Sequence, residues 1–224
     1  TTVFVNEDDP GVATASLGAV VTSDVPILAE RAMYMQANGT FAGGSASSGS
    51  PALSTQWYFG EGATGPFFHA FLSLLNPGST PATATVTYHL SDGSTVAKAY
   101  SVPADGRRTV YFNAEPDSDA TLAALATGPV WFTDSSTQPV VGQRAMWWST
   151  WPWYEGHAAA GSPISDVAWG VAEGRHGGPE TDQTYVLVGN TTSTAGQVRV
   201  SLIPDTGAPQ TQDLTIAPGA RLTI

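Results

Sequence analysis

The chain has 224 residues, of which 42% are hydrophobic and only 12% are charged, and this balance favours a folded protein over a disordered one. The formal net charge is -11, which argues against nucleic-acid binding because a phosphate backbone requires a basic face. The absence of cysteine excludes disulfides and thiolate metal sites, and the absence of a long apolar run predicts no membrane insertion.

Two stretches of the sequence occur twice. Residues 26–34 return as 139–147 at an offset of 113, and residues 57–62 return as 169–174 at an offset of 112. A third match, 76–80 with 190–194, has an offset of 114. Repeats of this length indicate duplication of a whole domain, since solenoid repeats are only about 20 to 50 residues long. The sequence therefore predicts two copies of one unit of about 112 residues.

Strand patterns follow one another along the central copy. Residues 83–90 alternate between apolar and polar side chains, as in a strand with one face on a core. Asp92-Gly93 and the Pro-Ala-Asp-Gly run at 103–106 predict turns. Eight short strands in one unit predict an all-β sandwich with few, short helices. The predicted strands are 56–60, 70–76, 83–90, 97–102, 108–113, a stretch around 122–133, 139–148 and 156–161.

Several motifs are shared with a known class of modules. The stretch 74–86, followed by the turns at 92–93 and 103–107, resembles immunoglobulin-like modules of bacterial surface proteins. With WYFGEGAT at 57–64 and ERAMY at 30–34, the chain more narrowly resembles a tandem domain of large secreted actinobacterial and related proteins. The resemblance implies two immunoglobulin-like β-sandwich units and a secreted or cell-surface location, and it supplies no catalytic residues.

The boundaries of the two units depend on where the unit begins. If it begins at the Trp motif, residues 55–165 form one complete sandwich, and 1–54 and 166–224 are complementary halves of a second. The halves then pair either within one chain or between molecules by strand exchange, which would build a filament. In the alternative division, 1–108 and 109–224 are two complete units. The first division is preferred, because it gives a conventional sandwich order.

Arg31 and Arg144 occupy the same position of an apolar strand in the two copies. A buried guanidinium requires a carboxylate or several carbonyls, because an unpaired buried charge is strongly unfavourable. Glu61 and Glu173 are the acidic residues that both copies place beside an apolar strand. We therefore predict two structural ion pairs, Arg144 with Glu61 in the central unit and Arg31 with Glu173 across the terminal halves.

The segment 147–154 contains five aromatic residues among eight, whereas its counterpart 34–41 is much less aromatic. The fold therefore does not require the cluster. Three interpretations remain open: packing against another domain or subunit, carbohydrate binding, and packing within the unit. In the carbohydrate interpretation the sugar faces stack on Trp148, Trp151, Trp153 and Tyr154.

Acidic loops follow the same strand in both copies. Solvated turns are one interpretation, and a calcium site is a weaker one, because the spacing matches no EF-hand loop. The calcium candidates are Asp8, Asp9, Asp117 and Asp119. The four histidines show no zinc-ligand spacing, so no other metal or cofactor is predicted.

No nucleophile elbow, phosphate-binding glycine loop or repeated carboxylate pair is present, so the sequence does not predict an enzyme. In a secreted protein, the lack of cysteine indicates a bacterial or archaeal source. The resulting hypothesis is a non-catalytic extracellular structural or adhesive module of a surface stalk, layer or filament. Its partners would be copies of itself or neighbouring repeats of the same protein. The alternative is a carbohydrate-binding module with glycans as partners.

Overall fold

The computed structural model describes residues 2–8, 10–12, 14–37, 40–126, 128–148, 155–179 and 181–224. Antiparallel strands dominate these residues, and the helical elements are short, so the predicted all-β class is confirmed. None of the described helices combines the length and the apolar composition that a membrane crossing requires.

The N-terminal segment contains two short helical elements and one hairpin. The helical elements are an α-helical turn at Val5–Asp8 and a 3-10 turn at Pro10–Val12. The hairpin consists of β1 (Glu30–Ala37) and β2 (Thr40–Ser48), which pair antiparallel.

The central segment contains the main sheet structure. Its strands are β3 (Ser54–Phe59), β4 (Ala63–Thr64), β5 (Phe68–Asn76), β6 (Ala82–Leu90), β7 (Thr95–Val102), β8 (Gly106–Tyr111), β9 (Gly128–Trp148) and β10 (Glu155–Ala160). Between β8 and β9 lie a 3-10 turn at Phe112–Ala114, a short α-helix at Glu115–Ser118 and a 3-10 helix at Ala120–Ala126.

The strand β9, with 21 residues, belongs to both layers of the central sandwich. Its first half pairs with β6 on one side and β3 on the other. Its second half pairs with β5 on one side and β10 on the other. One layer therefore runs β7-β6-β9-β3, and the other runs β8-β5-β9-β10.

The core lies between these two layers, and its residues come from the central segment. Alternate residues of β6 are buried, as its period-two pattern predicts, and they meet inward residues of β5. Aromatic rings fill the centre, where Phe59 stacks on Phe132 with ring centroids 4.5 Å apart. The largest fully buried side chains of this core are Trp57, Tyr88, Phe112 and Phe132. Trp131 is also buried but lies outside this core.

The prediction for the stretch 122–133 is partly wrong. Residues up to Ala126 form a 3-10 helix, and only the part from Gly128 onwards is strand. The reason is the spacing of Leu122 and Leu125, which are both buried and lie three residues apart, one turn of a 3-10 helix. The predicted strand 139–148 is the second half of β9, and it has no separate beginning.

The C-terminal segment repeats the pairings of the central strands. It contains β11 (Leu187–Gly189), β12 (Gly196–Leu202), β13 (Gln210–Ile216) and β14 (Arg221–Thr223). β12 pairs with β13 from Gly196↔Ile216 onwards, which is the register of β6 with β7 displaced by 114 residues. β11 pairs with β14 in the register of β5 with β8, again displaced by 114.

The two terminal segments lie on different parts of the central sandwich. β2 lies beside β10, and the side-chain amide of Gln143 donates to the Ser48 carbonyl at 3.5 Å. The C-terminal segment contacts the first half of β9, where the Trp131 indole donates to the Gly219 carbonyl at 3.1 Å. No strand pairing joins the described residues of the two segments, so they do not close a second sandwich within one chain.

The strand β8 bears on the alternative division at 108/109. It runs through that boundary and pairs with β5 from Phe71↔Tyr111 to Asn76↔Gly106. A division there would cut a paired strand of the central sandwich. The central sheet instead extends from Ser54 to Ala160, and an isolated bridge joins Tyr58 to Ser162.

Candidate functional site: the ion cluster and the open terminal faces

Arg144 on β9 and Glu61 in the link between β3 and β4 form an ion pair. Arg144 Nη2 lies 2.7 Å from Glu61 Oε2, and the Arg144 side chain is only 6% exposed. The His157 ring, on β10, places Nε2 3.0 Å from the same carboxylate oxygen. This is the Arg144–Glu61 contact expected from the repeat, with a histidine added.

The carboxylate of Glu61 is held in its ionised form. Burial raises its pKa, but the hydrogen bond to His157 and the charge of Arg144 outweigh burial and hold the pKa below its usual value. Arg221, which donates to the carbonyls of Gly62 and Val130, adds a further positive charge nearby. An ionised carboxylate locked in this way is suited to holding strands together rather than to proton transfer near neutral pH.

The second predicted ion pair, Arg31 with Glu173, does not form within the described part of a single chain, and it stays a prediction for a contact between chains. Arg31 lies on β1, and its Nη2 donates to the Ser47 hydroxyl across the hairpin at 3.2 Å. Glu173 lies in an exposed stretch without regular structure, before β11. Among the described residues there is no ion pair between them, because the two segments that contain them lie on different parts of the central sandwich.

Only one member of the predicted aromatic cluster is placed by the structure. Trp148 ends β9, and its ring packs edge-on against Phe68 and His157, with ring centroids 5.9 and 5.6 Å away. The other three cluster residues, Trp151, Trp153 and Tyr154, lie outside the described residues. Carbohydrate binding therefore stays a prediction.

The acidic candidates for calcium are not brought together in the described part of the chain. Asp119 lies 3.5 Å from Lys98 Nζ and accepts hydrogen bonds from the backbone and hydroxyl of Thr121. Asp117 lies in the helix Glu115–Ser118, and no group of three metal-ligating side chains forms among the described residues. The two N-terminal candidates, Asp9 and the side chain of Asp8, fall outside the description.

The N-terminal segment exposes the counterparts of central core residues. Val140 is fully buried in the central sandwich, whereas Ile27, 113 positions earlier, is 54% exposed. Met146 is buried and Met33 is exposed in the same way. The segment therefore presents an apolar face, which we call the N-terminal open face, that consists of Leu17, Ile27 and Met33.

The C-terminal segment exposes a second set of counterparts. Trp57 is 1% exposed in the central sandwich, whereas Trp169, 112 positions later, is 63% exposed. Phe59 is buried, but Val171 is 72% exposed. We call this surface, with Trp169, Val171 and Leu202, the C-terminal open face.

The C-terminal segment has the local structure of the central one even though its face is uncovered. The Asn190 side-chain amide donates to the carbonyls of Thr194 and Ala217, at 2.7 and 3.0 Å. These acceptors lie 114 positions after the two acceptors of Asn76 in the central sandwich. The C-terminal hairpins therefore keep the local structure of their central counterparts without a second layer to cover them.

Sequence reasoning misses two ionisable side chains of the central sandwich. His157 joins the ion pair, but its counterpart is Ser45, so the repeat contains no signal for it. Asp134 is fully buried on β9, neither of its carboxylate oxygens has a hydrogen-bond partner, and burial raises its pKa to about 7. The period-two pattern of β9 predicts that Asp134 is buried, because Asp134 alternates with Val130 and Phe132 on the inward face.

Comparison with known proteins gives distant structural likenesses. No protein-family model matches the chain, and no curated protein matches it. A Thermotoga maritima protein, described as 1070, is similar with a TM-score of 0.43 and 16% identity over 49% of this chain and 93% of that one. The Anabaena sensory rhodopsin transducer is similar with a TM-score of 0.35 and 26% identity, over 41% of this chain and 86% of that one. Neither likeness is close enough to support an argument about function.

Proposed function

We propose that the chain is a non-catalytic structural module of an extracellular stalk, layer or filament, and that it assembles with copies of itself or with neighbouring repeats of the same protein. The observation that supports this most is the pair of open faces. Each consists of apolar side chains whose counterparts are buried in the central sandwich of the same chain. Exposed apolar surfaces of this kind mark sites of association.

The central sandwich indicates what kind of surface covers the open faces. There the counterparts of the N-terminal face pack against the counterparts of the C-terminal face, in one core. A partner of the same sequence therefore offers matching shape and matching chemistry. The extracellular location rests on the resemblance of the repeat motifs to secreted bacterial proteins.

The first test is self-association of the whole chain. We expect sedimentation velocity to show concentration-dependent assembly, and Trp169→Ala to weaken it by at least about tenfold, because buried tryptophans dominate interface energies. Ile203→Ala is the matched control, since Ile203 is 80% exposed but lies just after the end of β12, at the counterpart of His89 and not of a fully buried core residue. A wild-type chain that stays monomeric at every concentration would contradict the proposal.

The same preparations separate assembly from carbohydrate binding. We expect no retention of the chain on insoluble polysaccharides, and no change when Trp148, Trp151, Trp153 and Tyr154 are all replaced by alanine. Retention that disappears in the alanine variant, with assembly unchanged, would favour the carbohydrate-binding alternative.

A further inference from the structure

We infer that the N-terminal segment of one molecule and the C-terminal segment of a second fold together into a hybrid copy of the central sandwich, head to tail. This inference rests on the proposed function and names the surfaces and the register of the assembly. Residues 166–224 contain the counterparts of β3 to β8, and residues 2–48 contain the counterparts of everything from β8 to β10. Together they supply each part of the sandwich.

Several side-chain contacts of the central sandwich join its first part, β3 to β8, to its second part, β9 and β10, and three of them bear on the assembly. The Gln56 amide donates to the Ser135 hydroxyl at 2.7 Å, and Trp57 Nε1 donates to the Val140 carbonyl at 3.0 Å. The third contact is the ion pair of Glu61 with Arg144.

Each of these contacts has a counterpart whose two members are divided between the C-terminal and N-terminal segments. Adding 112 to the first partner and subtracting 113 from the second gives the pairs Ala168–Thr22, Trp169–Ile27 and Glu173–Arg31. The last two pairs keep their chemistry: an indole opposite a backbone carbonyl, and a carboxylate opposite a guanidinium.

In the single molecule, two side chains at these positions lack the partner that their central counterparts have. The Trp169 indole donates to the nearby Asp166 carbonyl at 3.1 Å instead of reaching across a core. Ser45, the counterpart of His157, has a buried hydroxyl oxygen without a partner among the described residues. In the hybrid sandwich the Glu173 carboxylate would lie beside Arg31 and Ser45, as the Glu61 carboxylate lies beside Arg144 and His157 in the central sandwich.

The assembly is directional, because each molecule has one face of each kind. The two faces differ in sequence, so the contact between molecules is heterologous and leaves one face free at each end. Repetition of that contact produces an open chain in which central and hybrid sandwiches alternate, or a ring where the rotation between molecules closes. We propose the open chain, which is the geometry of a filament or stalk.

Cysteine pairing tests the register directly, since the chain has no cysteine of its own. The variant Thr22→Cys/Ala168→Cys places one thiol on each terminal segment, at the counterparts of the Gln56–Ser135 contact. We expect oxidation with diamide to produce a ladder of covalent multimers on non-reducing gels. The matched control, Ser23→Cys/Ala168→Cys, moves one thiol to the counterpart of Ser136, which lies on the opposite face of β9 from Ser135, and should produce no ladder.

Four outcomes would overturn the inference. A cross-linked monomer would show that the halves pair within one chain, and equal ladders in the test and control variants would show that association lacks this register. If the wild type associates in sedimentation but the test variant forms no ladder, the hybrid sandwich is wrong while the proposed function survives. If the wild type does not associate at all, the proposed function itself fails.

Charge reversal provides a second measurement that needs no oxidation. Arg31→Glu and Glu173→Arg should each weaken assembly by about tenfold or more, because like charges then meet across the contact. The double variant, and an equimolar mixture of the two single variants, should restore it. Arg199→Glu is the control, because Arg199 pairs with Asp213 within one exposed hairpin. Failure of the double variant to recover would contradict the Arg31–Glu173 contact.

Discussion

Replacing Asp134 by valine should stabilise the chain, and the gain should be about 4 kcal/mol larger at pH 9 than at pH 4. Asp134 is fully buried on β9 opposite Trp57 and Val86, and its carboxylate oxygens have no hydrogen-bond partner. Valine is a natural replacement, since Val21 occupies the corresponding position of the other copy, 113 residues earlier. Chemical denaturation across this pH range measures the effect.

The direction of this pH dependence of stability follows from the pKa of Asp134. Burial raises it from 3.8 to about 7 in the folded chain. A raised pKa means that the folded state binds a proton more tightly than the unfolded state, so stability is highest at acid pH and falls between about pH 4 and pH 7. Each pKa unit corresponds to about 1.4 kcal/mol, and this gives the expected difference.

Ser135→Val is the matched control for Asp134→Val. Ser135 is the next residue of β9 and is exposed, so it tests a valine in this strand without burial. The hydrogen bond from Gln56 that it loses does not depend on pH. We expect no pH-dependent change in its free energy of unfolding. An equal gain for Asp134→Val at pH 4 and pH 9 would show that Asp134 does not titrate with a raised pKa.

Period-two patterns predict most of the fold from local sequence. β6 and β7 begin and end close to the predicted positions, because alternation and the Asp92-Gly93 turn are local signals. The extent of β9 is not a local property. Its two halves belong to different layers, and only their separate pairings with β6 and β5 show that one strand joins them.

The repeat predicts the Arg144–Glu61 contact because both copies keep the two residue types at matching positions. It does not predict whether the matching residues Arg31 and Glu173 meet within one chain. The position of one terminal segment relative to the other is decided by contacts such as that of Trp131 with Gly219, which has no pattern in the sequence. The repeat also does not predict that His157 joins the ion pair, because the other copy has Ser45 at that position.

Removing the charge of Glu61 with Glu61→Gln should destabilise the central sandwich by about 3 kcal/mol. Arg144 would keep its buried guanidinium, at 6% side-chain exposure, but would lose the carboxylate 2.7 Å away. We expect the lower part of the usual range, because the Glu61 side chain is 34% exposed and water can reach the site. Thermal and denaturant unfolding of the whole chain measure the loss.

Two further variants separate the ion pair from other effects of Glu61→Gln. Glu61→Gln/Arg144→Met removes both charges and should recover most of the lost stability, because no buried charge then lacks a partner. Glu173→Gln makes the same change in an exposed counterpart, and the monomer should unfold with unchanged free energy. Since the pKa of Glu61 is lowered in the folded chain, the wild-type advantage should be present above about pH 4.5 and disappear as the pH falls below it. A loss of equal size in Glu173→Gln, or no recovery in the double variant, would show that the Arg144–Glu61 pair does not stabilise the sandwich.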